Sequence, residues 1–152
     1  MHILVATDAD YVLADVTAAL DGPDVTFEVF TNGRDVTPAV RRHAPDVAVL
    51  DLQVGSMGGM AVTMELRLDE SVGITSHVPV LMLLDRRADV HLARRSNADG
   101  WLIKPLDALR LERAVATVLA GGRVAEGEPP LPLADELEPV EGSTRLAPAP
   151  AG

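Results

Sequence analysis

The sequence has no cysteine and a single lysine, Lys104, among thirteen basic residues. The first absence excludes disulfides, thiolate metal centres and cysteine nucleophiles, and nothing argues for an oxidising compartment. Basic charge is scarce throughout: 13 Lys+Arg face 23 Asp+Glu, for a formal net charge of −10 and a pI near 4.7. Such a field repels phosphate backbones and anionic lipid, so no nucleic acid and no membrane surface is expected as a partner. Long apolar runs are missing too. Ile3 to Ala6 is too short for a signal-peptide core and is followed by Asp8 and Asp10. No stretch approaches the roughly 20 apolar residues of a membrane span. A soluble, cytoplasmic chain is the expectation.

What is present is one domain's worth of apolar sequence: 152 residues, 47% of them hydrophobic. The last 30 residues, Arg123 to Gly152, hold six of the eleven prolines, lack aromatics and carry six acidic residues against Arg123 and Arg145. They read as an acidic, Pro-rich disordered tail, which places the domain at 1–122 and the tail at 123–152. The tail could meet a basic partner or serve only to solubilise.

Residues 1–122 alternate two patterns. Short runs rich in Val, Ile and Leu (Ile3 to Ala6, Val25 to Phe30, Val47 to Leu50, Val78 to Leu84, Trp101 to Ile103) read as strands buried on both faces. Between them lie helical spacings, such as Val12, Val16, Ala19 and Leu20 in the first and Leu106, Leu109, Val115, Val118 and Leu119 in the last. Five βα units predict an α/β fold: a doubly wound, five-stranded parallel sheet with helices on both faces. Functional groups then gather at the carboxyl ends of the strands.

Those ends carry Thr7-Asp8, Asp51, Leu84-Asp85 and Lys104-Pro105. Two carboxylates brought together across the crevice, Asp8 and Asp51, repel unless a positive charge lies between them. A hard divalent cation, Mg²⁺ above all, relieves that repulsion and leaves a position for a phosphoryl oxygen. Lys104 adds a slim, flexible ammonium suited to a crowded anionic site.

With these residues the chain resembles the receiver domain of two-component response regulators, over residues 1 to about 122. ILVATD (Ile3 to Asp8), PDVAVLDLQVGSMGG (Pro45 to Gly59) and WLIKPLD (Trp101 to Asp107) are similar to the family's first, third and fifth strands with the loops that follow. The resemblance implies a flavodoxin-like sheet of order 2-1-3-4-5. It also implies that Asp51 is the phosphoacceptor, that Asp8, Asp51 and the backbone carbonyl of Gln53 hold Mg²⁺, that Lys104 contacts the phosphoryl group, and that a cis bond precedes Pro105. The phosphoryl donor would be a histidine kinase, a phosphotransfer protein or a small acyl phosphate, and the output an unknown downstream protein. The chain would be a phosphoacceptor that catalyses its own phosphorylation at most.

The sequence departs from the family at three places. Thr7 stands where the first acid of the acidic pair is usual, Leu84 replaces a Ser or Thr that binds the phosphoryl group, and the segment from Leu84 to Lys104 is about two residues short. Leu84 and Trp101 are the switch positions; with no hydroxyl at 84, core packing or partner anchoring competes with switching for Trp101. Asp85 is a possible accessory acid on the metal or on Lys104, or else a helix cap or loop charge. His2, His43, His77 and His91 show no metal-ligand spacing. Met57, Met60 and Met64 read as the buried face of the third helix. Arg86, Arg87, Arg94 and Arg95 form a basic cluster that either receives an acidic surface or pairs with Asp85, Asp89 and Asp99. A stand-alone receiver signalling through protein contacts is the first reading. The alternative is a phosphorylation-independent pseudo-receiver, and a third is a small Mg-dependent phosphatase using Asp8 in Asp8-x-Asp10.

Overall fold

The computed structural model describes residues 1–127. Strands β1 (His2–Ala6), β2 (Thr26–Phe30), β3 (Val47–Asp51), β4 (Val80–Leu84), β5 (Gly100–Ile103) and β6 (Val124–Ala125) form one sheet. Its order is β2-β1-β3-β4-β5-β6, and every pairing is parallel. Helices α1 (Asp10–Leu20), α2 (Val36–Arg42), α3 (Gly59–Ser71), α4 (Val90–Arg95) and α5 (Ala108–Leu119) make the crossovers, with short 3₁₀ turns leading into α2 and α4.

Side-chain alternation along the strands divides the core in two. Leu4, Ala6, Leu50, Met82, Leu84 and Trp101 pack under α2, α3 and α4. Ile3, Val5, Val49, Leu81, Leu83 and Leu102 pack under α1 and α5. Strands β3 and β4 are buried at every position, as apolar runs covered on both faces should be. Strand β2 is not: it is the sheet's edge, and only half of its surface is covered. In α1 the buried residues are the four expected. In α5 the buried stripe is Leu111, Ala114, Val115 and Val118, while Leu109 and Leu119 face outward; the stripe at i, i+3, i+4 and i+7 leaves them on the solvent side.

The sheet has six strands rather than the expected five. After α5 the chain turns at Gly121, whose φ of +82° suits glycine, and Val124–Ala125 pair with Gly100–Trp101. Gly100 permits this approach, since a Cβ there would lie 3.0 Å from that of Val124. A two-residue strand is too short to show any period, and its existence depends on a partner 24 residues earlier. The sheet therefore runs past the boundary expected at residue 122, and the outer edge of β5 is partly covered by the chain itself. The remainder of the expected tail, from residue 128, lies outside the described residues. Among the described residues no helix is long and apolar enough to cross a membrane.

Candidate functional site

Strand pairing brings the site residues together. Ala6 of β1 is level with Leu50 of β3, so Thr7 and Asp51 emerge side by side. Leu84 of β4 is level with Ile103 of β5, and the Lys104 amide donates to the Leu84 carbonyl at 2.8 Å. That pins the lysine backbone beside Asp85. The peptide bond between Lys104 and Pro105 is cis, as expected.

Asp51 is only 2% exposed, and both carboxylate oxygens are satisfied. Oδ1 accepts from the Lys104 ammonium at 2.9 Å and from the Gln53 amide at 3.1 Å. Oδ2 accepts from the Thr7 hydroxyl at 2.8 Å. A buried carboxylate is tolerated only with such compensation, because the desolvation of an unpaired charge costs several kcal/mol (about 3–5 when a buried partner is removed). The ammonium of Lys104 reaches a second carboxylate, Oδ1 of Asp85, at 3.0 Å. Burial pulls the lysine's pKa down, but hydrogen bonds and charge from Asp51 and Asp85 outweigh it and hold the group above its ordinary value. It is an ammonium at neutral pH.

The loop after β3 is shaped by glycine. A Cβ on Gly59 would come within 2.7 Å of the Asp51 carbonyl oxygen, so α3 can begin against the strand end only because that position is bare. A Cβ on Gly55 would lie 3.1 Å from Oδ2 of Asp8, so Gly55 leaves room for that carboxylate at the exposed rim.

A divalent cation is implied by the resemblance, and the donor chemistry fits it. Asp8, Asp51 and the Gln53 carbonyl offer only hard oxygens, and the bare Gly55 beside Asp8 leaves space at the mouth. Among the described residues no three His, Asp or Glu side chains cluster as a metal site. Carbonyl oxygen and water would complete the shell. The site's other acid, Asp85, is joined to Lys104.

Leu84 and Trp101, the expected switch positions, lie in the same core cluster. Leu84 and Trp101 are both fully buried. The indole N–H of Trp101 donates to the Glu126 carbonyl at 2.9 Å, and the Arg123 guanidinium lies 5.0 Å from its ring centroid. The ring is thus fastened from the β6 side. Glu126 was not singled out in the sequence, yet it braces the strand that carries Lys104. Its Oε1 accepts from the Ile103 amide at 3.0 Å, and its carboxylate is clamped by Arg110 through both Nε and a terminal nitrogen. Arg110 also donates to the carbonyls of Pro105 at 2.8 Å and Ile103 at 3.0 Å. The signal was a lone acid in a segment assigned to the tail, so only the pairing of β6 makes it legible.

Other candidates resolve into local roles. His77 bridges Glu70 and Asp99, and Asp99 also pairs with Arg67. His91 bonds the Ala88 carbonyl, and His2 stacks on His43. In the basic cluster Arg86 pairs with Asp89 at 3.2 Å. Met57 and Met60 pack on the core, but Met64 is 50% exposed.

The family model for the response regulator receiver domain matches residues 3–116. The transcriptional regulatory protein CseB of Streptomyces avermitilis is 30% identical over 143 residues, covering 93% of this chain and 58% of that protein. PilH of Pseudomonas aeruginosa is 29% identical over 122 residues, covering 79% of this chain and 98% of PilH. Among solved structures, the receiver domain of the sensor histidine kinase PA1611 of Pseudomonas aeruginosa, which holds a magnesium ion in its active-site cleft, superposes with a TM-score of 0.69. It is 19% identical and covers 78% of this chain and 97% of that one. The chain spans little more than half the length of the transcriptional regulators it matches.

Proposed function

Because the chain belongs to the response regulator receiver domain family, we propose that it is a phosphoacceptor whose nucleophile is Asp51 and whose output is a protein–protein contact. One observation carries the reading: the most buried acid at the strand ends is held 2.9 Å from the chain's single lysine. Asp8, by contrast, is exposed at the rim, which supports Asp51 over Asp8 as the attacking group and weighs against the phosphatase reading.

In the step itself an Asp51 oxygen attacks phosphorus. A phosphoramidate P–N bond of a phosphohistidine, or the P–O bond of an acyl phosphate, breaks as the aspartyl phosphate forms, and the donor departs with the bonding electrons. Lys104 faces the charge that accumulates on the phosphoryl oxygens. The Gln53 amide and the Thr7 hydroxyl hold the carboxylate in place. Mg²⁺ held by Asp8, Asp51 and the Gln53 carbonyl would supply further neutralisation of that charge.

Receiver domains work with histidine kinases or phosphotransfer proteins, and such a donor is the partner proposed here. The cytoplasm is the compartment where such donors act. The pseudo-receiver reading draws on Leu84 and on the fastened indole of Trp101. Neither supplies the hydroxyl pull or the ring rotation that ordinarily relays the phosphoryl signal. Incubation with acetyl phosphate and Mg²⁺, followed by intact-mass spectrometry, separates the two. A single phosphoryl adduct in the parent and none in Asp51→Ala supports the phosphoacceptor. No adduct either from acetyl phosphate or from a phosphorylated histidine kinase would leave the constitutive module.

A further inference from the structure

Helix α3 carries an apolar row that the core does not use. Met64, Leu68 and Val72, spaced four residues apart, are 50%, 62% and 63% exposed, and Ile74 in the turn beyond them is 56% exposed. Residues at that spacing line up as a ridge on a helix surface. Single apolar residues are ordinary on a surface, whereas a contiguous line of them marks an interaction face. A groove of about 630 Å³ runs beside the ridge between α3 and α4, with Ala61, Met64 and Leu68 on its α3 side and Arg95 and Asn97 on its α4 side.

The two flanks of the ridge carry opposite charges. Arg95 ends α4 and is exposed, and among the described residues it has no hydrogen-bond or ion-pair partner. Glu65 also lines the groove, and its charge acts on Arg41 of α2, which places it toward the α2 flank. Arg41 is itself already paired with Asp69. An acid on one flank and a base on the other leave the face with no single sign to offer a strongly acidic or strongly basic ligand. They make it complementary to itself.

We propose that this face joins two copies of the chain in a two-fold dimer. In such an interface the same patch serves both partners and every contact occurs twice. Ridges of residues four apart interdigitate when the helices cross at about −50°, which sets Leu68 against the partner's Leu68. With the two α3 helices running in the same sense, the α2 flank of each copy faces the α4 flank of the other. Glu65 then meets the partner's Arg95, and Arg95 the partner's Glu65. In the opposite sense like flanks meet and neither charge finds a partner, so the charge pattern selects the first arrangement. The net charge of −10 does not oppose it strongly, because at physiological ionic strength exposed charges act over only about 8 Å. Stable interfaces bury about 800 Å² per partner; one helix crossing with its flanks is smaller, so the dimer is a weak one. It leaves α1 and α5, on the other face of the sheet, uncovered, and it does not rest on phosphorylation of Asp51.

Sedimentation equilibrium of the full chain tests the dimer. The weight-average mass should climb from 16.1 kDa toward twice that value between about 10 μM and 1 mM protein. Leu68→Glu should hold it at the monomer mass. Leu109→Glu, at a leucine 53% exposed on α5, should follow the parent, and circular dichroism melts establish that both variants are folded. Glu65→Arg and Arg95→Glu should each raise the dissociation constant about tenfold, because like charges then face each other across the dyad. An equal mixture of those two variants should nevertheless associate at least as tightly as the parent, since each copy supplies the charge the other lacks. A parent that stays at 16.1 kDa at about 1 mM overturns the proposal and leaves the groove to a different protein. Dissociation by Leu109→Glu to the same extent as by Leu68→Glu overturns it too, as does a mixture that associates no better than either charge variant alone.

Discussion

The hydroxyl of Thr7 donates a 2.8 Å hydrogen bond to Oδ2 of Asp51. Both residues are buried, and the position that in the resembling family carries an acid here carries a donor. In place of a second carboxylate that needs a cation to offset it, Thr7 brings a donor that stabilises the Asp51 charge. Hydrogen bonds to charged groups contribute about 1.5–3 kcal/mol, so Thr7→Val should lower the free energy of unfolding in urea by that amount. Thr7→Asp should behave differently. It should be destabilised without divalent cation, through repulsion with Asp51, and recover on adding Mg²⁺, so its thermal shift with Mg²⁺ should exceed that of the parent.

Asp85 shares Lys104 with Asp51. Asp85 is exposed, and exposed pairs contribute about 0–1 kcal/mol, so Asp85→Asn should change global stability by less than about 1 kcal/mol. With the competing carboxylate gone, Lys104 should serve the phosphoryl group alone, and the aspartyl phosphate should persist up to about fivefold longer in a mass-spectrometric time course. The pH dependence has a definite sign. A lysine whose folded pKa is raised contributes stability that is present below its unfolded value and is lost as pH rises through the folded one. The alkaline loss of stability should therefore begin at lower pH in Asp85→Asn, read by unfolding midpoints from neutral pH upward.

Acid should act elsewhere. Arg41 holds Asp69 in a two-pronged pair, Nε to Oδ2 at 2.7 Å and a terminal nitrogen to Oδ1 at 2.9 Å, tying α2 to α3. The hydrogen bond from Arg41 depresses the Asp69 pKa below its ordinary value. That contribution is complete above the unfolded carboxylate value and is lost as pH falls through the depressed folded one. Asp69→Asn should accordingly be less stable than the parent at neutral pH, and the two stability curves should converge as pH drops below the ordinary carboxylate range.

Glu126 offers a spectroscopic test of β6. The chain has one tryptophan, and Trp101 sits against β6 with its N–H on the Glu126 carbonyl. Glu126→Ala keeps that carbonyl but removes the acceptor of the Ile103 amide and one of the two carboxylates on Arg110. An unsatisfied buried group costs about 1–3 kcal/mol. The expected outcome is a loss of stability in that range with a red-shifted, more quenchable tryptophan emission. An unchanged spectrum and midpoint would mean that β6 is dispensable.

Most of the sheet was legible because β1, β3, β4 and β5 are apolar runs at a regular spacing, and the conjunction of Asp51, Lys104 and Asp85 follows once those strands are ordered. The roles that were missed depend on contacts across long stretches of sequence. Val124–Ala125 has no period of its own, Glu126 looks like one more acid in an acidic stretch, and Thr7 reads as a missing carboxylate until its hydroxyl is seen on Asp51. Met64 fits a helical stripe by spacing, but the stripe that α3 buries is Val62, Thr63 and Leu66, which turns Met64 outward. Asp85 admitted several roles in the sequence, and its hydrogen bond from Lys104 shows only once β4 and β5 are paired.

The central claim is that Asp51 is the phosphoryl acceptor, and borohydride reduction tests it most directly. After incubation with acetyl phosphate and Mg²⁺, reduction converts an aspartyl phosphate to homoserine, which peptide mass spectrometry locates by residue. The account predicts homoserine at position 51 in the parent and at no position in Asp51→Asn. Homoserine at position 8, or none at any position after phosphorylation by a histidine kinase as well, would contradict it.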